Sequence, residues 1–246
     1  MLHGIYGRGR NWQAIAKAVV AARPDYACWL IDLPHHGESG PGAHGDSVRG
    51  FAWDLADWCE AEGLSPDAIL GHSFGGKAAL AFAERHREQP LQIWVIDSTP
   101  ETKSPGGSAW DMLELVRGLP QTFATREEAA DLIVAGGYSR GVAVWMSTNL
   151  VRHGEQFEWR LDFSVMEPLL SDFFTTDLWP VVEDHAPGHV LHFLKASTSS
   201  AMSDAAAEKV ESMNDPRVSL HRRDGTHWMH AESPEVVIDL LLAHLP

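Results

Sequence analysis

The chain has 246 residues, 44% of them hydrophobic and 22% charged, with a formal net charge of −15. This is enough chain for one sizeable core with room for an inserted lobe, at an ordinary globular composition that argues against disorder. The acidic balance excludes nucleic acid and anionic membranes as principal partners, because their phosphates would be repelled.

Read from the N-terminus, "MLHGIYGRGR" lacks the long apolar core of a signal peptide, and no apolar run approaches membrane-spanning length. The expectation is a cytoplasmic protein with no membrane insertion. The pattern predicts a helix over 11–22 and a strand over 26–33, "YACWLIDL". A helix follows over 47–62, where Asp54, Asp57 and Glu60 fall on one solvated face. Next come a strand over 67–73, a helix over 74–86 and a strand over 91–98. Residues 99–188 hold no convincing strand; "WDMLELVRGL", "REEAADLIVAGG", "VAVWMSTNLVRHG" and "FSVMEPLLSDFF" read as short helices rich in Trp, Phe and Met. The rhythm resumes with strands over 189–196 and 218–224 and helices over 204–213 and 234–244, the last with Ser233 as N-cap before Pro234. Near-continuous apolar strands alternating with helices imply a doubly wound, mostly parallel α/β sheet. Residues 1–98 and 189–246 would form the core, and 99–188 an inserted helical cap. Cys28 and Cys59, in an apolar run and on a helix, read as reduced packing residues.

The stretch "GHSFGGK" (71–77) joins a strand to a helix and admits three readings. A phosphate loop needs Ser or Thr after the lysine to bind Mg²⁺, and Ala78 stands there. A nucleophile elbow needs Gly-x-Ser-x-Gly, met by Gly71, His72, Ser73, Phe74 and Gly75. Its glycines leave room for a strained turn, and the helix behind it directs N–H groups at developing negative charge. The third reading is a glycine-rich turn without chemistry.

A serine hydroxyl needs a base. "DGTHWMHAESPE" (224–235) offers His227 between the last strand and the last helix. His230 competes with it, and "HWMH" could be half of a zinc site, although no matching cluster is evident elsewhere. An oxyanion hole needs two converging N–H donors. Phe74 supplies one, and "LHGIYG" (2–7) supplies the other through Ile5, with Tyr6 second.

These segments, with "IDLPHHGES", "WVIDSTP" and the cap stretches "WMSTNL" and "WRLDF", resemble the abhydrolase-type serine esterases, a branch of the α/β-hydrolases found in bacteria, mitochondria and plastids. The resemblance implies hydrolysis of small to medium acyl esters or thioesters through an acyl-enzyme, without a cofactor. A small-molecule ester would be the partner.

The imidazole requires a carboxylate to fix its tautomer. Where many α/β-hydrolases carry it, this chain has Ser197, Thr198, Ser199 and Ser200, with Asp204 further on at a helix start. Some members of the branch place the acid at the strand after the elbow, where Asp97 stands. A carboxylate closing an apolar strand is costly to bury unless paired. Asp97 could instead cap the turn at Ser98 to Pro100, and Asp162 is a further candidate. Lys77 reads as a salt bridge or solvated tip, and His72, His35 and His36 as packing or loop residues. The family usually has two or three strands before its His-Gly motif, and here these N-terminal strands are apparently missing. An exposed sheet edge, and homodimerisation through it, would follow. A non-catalytic ligand-binding protein of the same fold is the alternative reading.

Overall fold

The computed structural model describes residues 1–246. In chain order, a 3₁₀ turn (Gly9–Trp12) leads into α1 (Gln13–Ala22) and α2 (Val48–Ala61). Then follow β1 (Ala68–His72), α3 (Phe74–Arg85) and β2 (Leu91–Ile96). The next stretch holds α4 (Ser108–Arg117), β3 (Thr122–Phe123), α5 (Arg126–Ala135), α6 (Arg140–Ser147), β4 (Leu150–His153), β5 (Gln156–Trp159), α7 (Phe163–Thr175) and α8 (Trp179–Glu183). The chain closes with β6 (His189–Ala196), α9 (Asp204–Ser212), β7 (Val218–Arg223), α10 (Met229–Glu232) and α11 (Pro234–His244).

The main sheet runs β1-β2-β6-β7, with every pair parallel. All six residues of β2 are buried, which is why its sequence is apolar without alternation. Successive side chains still go to opposite faces. Leu70, Trp94, Ile96 and Leu194 pack with Trp12, Ile15 and Val19 near α1 and with Val237, Leu240 and Leu241 of α11. Ile69, Ile93, Val95 and Phe193 share the other cluster with Phe51 and Leu55 of α2 and Leu80 and Phe82 of α3. Helices on both faces make the sheet doubly wound. No helix is long and apolar enough to cross a membrane.

Three expectations of secondary structure are corrected. The strand over 26–33 is reduced to a bridge between Ile31 and Leu2, with Leu2 bridged in turn to Gly71. A ladder needs a partner at each step, and this segment's pairing rests on the Ile31 N–H to Met1 and the Met1 ammonium to the Trp29 carbonyl. Between β2 and β6, an antiparallel sheet β3-β5-β4 stands among the helices. Its "LVRHGEQFEW" hairpin turns at Gly154, whose φ of 62° relieves the turn of Cβ strain. Ser233 makes no side-chain cap on α11.

Lys77 departs furthest from expectation. The first ten residues of α3 are buried, so no solvated face exists for its tip. Its Nζ donates to the carbonyls of Glu101 (2.8 Å), Phe173 (2.5 Å) and Thr176 (2.7 Å), tying α3 to the end of α7. A cation is favoured at a helix C-terminus. Burial nevertheless pulls its pKa down to about 7.

Candidate active site

Ser73 occupies the one residue between β1 and α3, at φ 53°, ψ −117°. This backbone region is costly for a residue with a side chain and persists only where the surroundings enforce it. They do so here through close packing. A Cβ on Gly71 would stand 1.9 Å from the Gly75 carbonyl oxygen, and one on Gly75 would stand 2.5 Å from that of His3. The Ser73 N–H donates to the Ile96 carbonyl at 3.0 Å, and Ser98 Oγ donates to the Ser73 carbonyl at 2.6 Å. Ser98 had no signal of its own in the sequence beyond its place after β2.

His227 lies on the loop between β7 and α10. Its Nδ1 donates to Asp97 Oδ2 at 2.7 Å, and Asp97 is wholly buried at the end of β2. Asp97 Oδ1 accepts the Ala196 N–H at 2.9 Å, so both carboxylate oxygens are engaged. The Nδ1 proton is assigned from this bond and leaves Nε2 as the acceptor nitrogen. Ser73 and His227 line one cavity of about 240 Å³, with no direct hydrogen bond between them.

His230 is not on this axis. It packs against His72 and Trp12, with Nδ1 unpartnered, and burial pushes its pKa down to about 3. No three His, Cys, Asp or Glu side chains converge as a metal-binding group. His72 is more than packing: its Nε2 donates to the His227 backbone carbonyl at 2.7 Å. Burial, then His230 and His227, drive the His72 pKa well below the usual imidazole range, so it stays neutral.

Opposite the elbow, Gly4 to Gly7 form a turn closed by Gly7 N–H to Gly4 O at 2.9 Å, with Tyr6 at φ 65° as a type II turn requires. The N–H groups of Ile5 and Tyr6 donate to no backbone acceptor, and Phe74, first in α3, has none within its helix. The turn is held firmly. His3 Nε2 accepts the Leu33 N–H at 3.0 Å, Asn149 Nδ2 donates to Tyr6 O at 2.7 Å, and the Tyr6 hydroxyl donates to Ala109 O at 2.9 Å. Sequence reasoning missed the supporting roles of Asn149 and Ala109; only "WMSTNL" hinted at the first.

The other acid candidates lie elsewhere. Asp204 is exposed in the first turn of α9, 3.5 Å from Lys195 Nζ, while Ser203 caps that helix. Asp162 caps α7 by accepting the Ser164 N–H at 2.9 Å.

A family described as "Alpha/beta hydrolase family" matches residues 1–240. The sn-1-specific diacylglycerol lipase ABHD11 of Mus musculus is 26% identical over 250 residues, covering 99% of this chain and 79% of that protein. Esterase YbfF of Escherichia coli (strain K12) is 25% identical over 248 residues, covering 100% and 91%. Among solved structures, a marine microorganism esterase superposes with a TM-score of 0.82 at 26% identity, covering 99% of this chain and 93% of that one.

Proposed function

The chain belongs to the alpha/beta hydrolase family, and from that premise we propose that it is a serine carboxylesterase. Ser73 Oγ attacks the ester carbonyl while His227 Nε2 takes its proton, and Asp97 stabilises the imidazolium. The N–H groups of Phe74 and Ile5 receive the oxyanion; one such donor is worth about 2.7–4 kcal/mol in a related setting. Collapse of the tetrahedral adduct expels the alcohol, which takes the proton back from His227. Water, deprotonated by the same imidazole, then releases the acid and restores Ser73.

The observation that carries this reading is the buried 2.7 Å His227–Asp97 bond beside a serine held at positive φ. The names of the relatives, an esterase and a diacylglycerol lipase, agree with ester hydrolysis. Residues 99–188 act as a cap over the core formed by 1–98 and 189–246, since Leu170, Phe173 and Phe174 wall the cavity above Ser73. At about 240 Å³, the cavity lies at the small end of ligand sites, which favours small to medium acyl esters or thioesters.

The absence of a Ser73–His227 hydrogen bond keeps a second reading, a ligand-binding protein without turnover. A fluorophosphonate probe separates the two: wild type labels at Ser73 and Ser73→Ala does not. An intact, folded wild type that resists labelling and leaves p-nitrophenyl butyrate untouched would establish the second reading instead.

A further inference from the structure

Lys103 follows β2 on the segment leading to α4, and it lines the same cavity as Ser73 and His227. Among the 14 residues that line this cavity it is the one fixed charge. Its ammonium donates to the Ser200 carbonyl and, at 3.3 Å, to that of Ala201, and both residues line the cavity as well. Three protons and two acceptors leave one donor uncommitted. No carboxylate forms an ion pair with it. The nearest in sequence, Glu101, is engaged by the Thr99 hydroxyl and by the N–H and hydroxyl of Ser203. Lys195, by contrast, has Asp204 at 3.5 Å.

An ammonium half-withdrawn from water without a carboxylate in contact is expensive, and burial lowers the Lys103 pKa although the charges of Glu101 and, less, Asp97 act against it from a distance. The chain's net charge of −15 makes the exception informative, because most of its surface repels anions. An incoming carboxylate would meet the spare proton and offset the desolvation. The apolar wall of Phe74, Leu170, Phe173 and Phe174 takes the uncharged part of the same molecule.

We propose that Lys103 receives a carboxylate carried by the substrate, so that the preferred esters are half-esters of short dicarboxylic acids. This rests on the serine esterase reading for its chemistry, but not for its binding step.

The test compares p-nitrophenyl hemisuccinate with the neutral p-nitrophenyl valerate on wild type, Lys103→Met and Lys103→Arg. The hemisuccinate-to-valerate ratio of kcat/KM should fall roughly 10- to 100-fold in Lys103→Met, the usual weight of a hydrogen bond to a charged group. Lys103→Arg should retain part of the preference. A ratio unchanged in Lys103→Met, including the case where both substrates decline together, would reduce Lys103 to a tether for the loop at 200–201. Calorimetric binding of monomethyl succinate to Ser73→Ala, with and without Lys103→Met, needs no turnover. Lys103-dependent binding alongside a wild type that hydrolyses neither ester would sink the esterase reading and leave the carboxylate site standing. Binding indifferent to Lys103 would overturn the inference whatever the activity.

Discussion

His72 Nε2 lies 2.7 Å from the backbone carbonyl oxygen of His227, so the residue just before Ser73 holds the loop that carries His227. The same ring backs onto the turn from Gly4 to Gly7: a Cβ on Gly4 would sit 2.9 Å from His72 Nδ1. One neutral imidazole thus touches the elbow, the base loop and the turn that supplies Ile5.

Replacing it should therefore misplace the base without touching substrate. His72→Phe should lower kcat about 10- to 100-fold, the weight of one buried hydrogen bond left unmade, with KM little changed. The loss should persist per folded molecule, and His72→Gln, which keeps a donor, should recover part of it. A purely structural role would lower the amount of folded enzyme and leave kcat per folded molecule in place.

Asp97→Asn should reduce kcat on the order of 10,000-fold, as expected when the acceptor that fixes a catalytic tautomer is lost. Asp204→Asn, on an exposed carboxylate remote from His227, should leave p-nitrophenyl ester turnover as it is. The reverse result would reassign the acid.

Asn149→Ala removes the amide that holds the Tyr6 carbonyl at 2.7 Å. With Tyr6 at positive φ, the unsupported turn should relax and withdraw the Ile5 N–H. The expected signature is a kcat lowered about tenfold, the cost of one unmade hydrogen bond, with a smaller change in KM.

Lys77 gives a pH-dependent prediction. Its pKa is about 7 in the fold, against an ordinary 10.5. Between those values the unfolded chain holds more protons, so this group makes stability rise with pH across that window. Lys77→Met should flatten the Tm profile between pH 7 and 10. It should also destabilise by about 1–3 kcal/mol, because three buried carbonyls lose their donor. A slope unaltered by the substitution would contradict the burial.

Acid should act in the same sense through two buried histidines. His192 and His221, stacked beside Trp94, have pKa values lowered to about 4 by burial and by neighbouring histidines. Below the ordinary 6.5 the unfolded chain takes up protons that the fold refuses, so stability is lost as pH falls from 6.5 toward 4. The double variant His192→Gln/His221→Gln should show a shallower decline in Tm over that range.

The alternation of apolar strands and amphipathic helices is local, and a reader of the sequence can recover it. β1, β2, β6 and β7 and the five long helices of the sheet layers fall within two residues of where periodicity puts them. Gly71-x-Ser73-x-Gly75 is equally local, because the turn's sterics are written in its own glycines. Apart from the side-chain cap expected of Ser233, what failed depended on a distant partner. The segment over 26–33 has strand composition but lacks a full-length neighbour, and the hairpin at Leu150–Trp159 was masked by helical stretches before it. The choice of Asp97 over Asp204 as the carboxylate beside His227 is a pairing between residues 130 apart. So too are the clamps made by His72, Asn149 and Lys77. Sequence by itself determined the architecture and the strained hydroxyl, because neighbouring residues set backbone geometry. Only the tertiary structure decided which acid bonds His227, which amide holds the Tyr6 carbonyl and which cation shares the Ser73 cavity, because folding alone fixes distances between residues far apart in the chain.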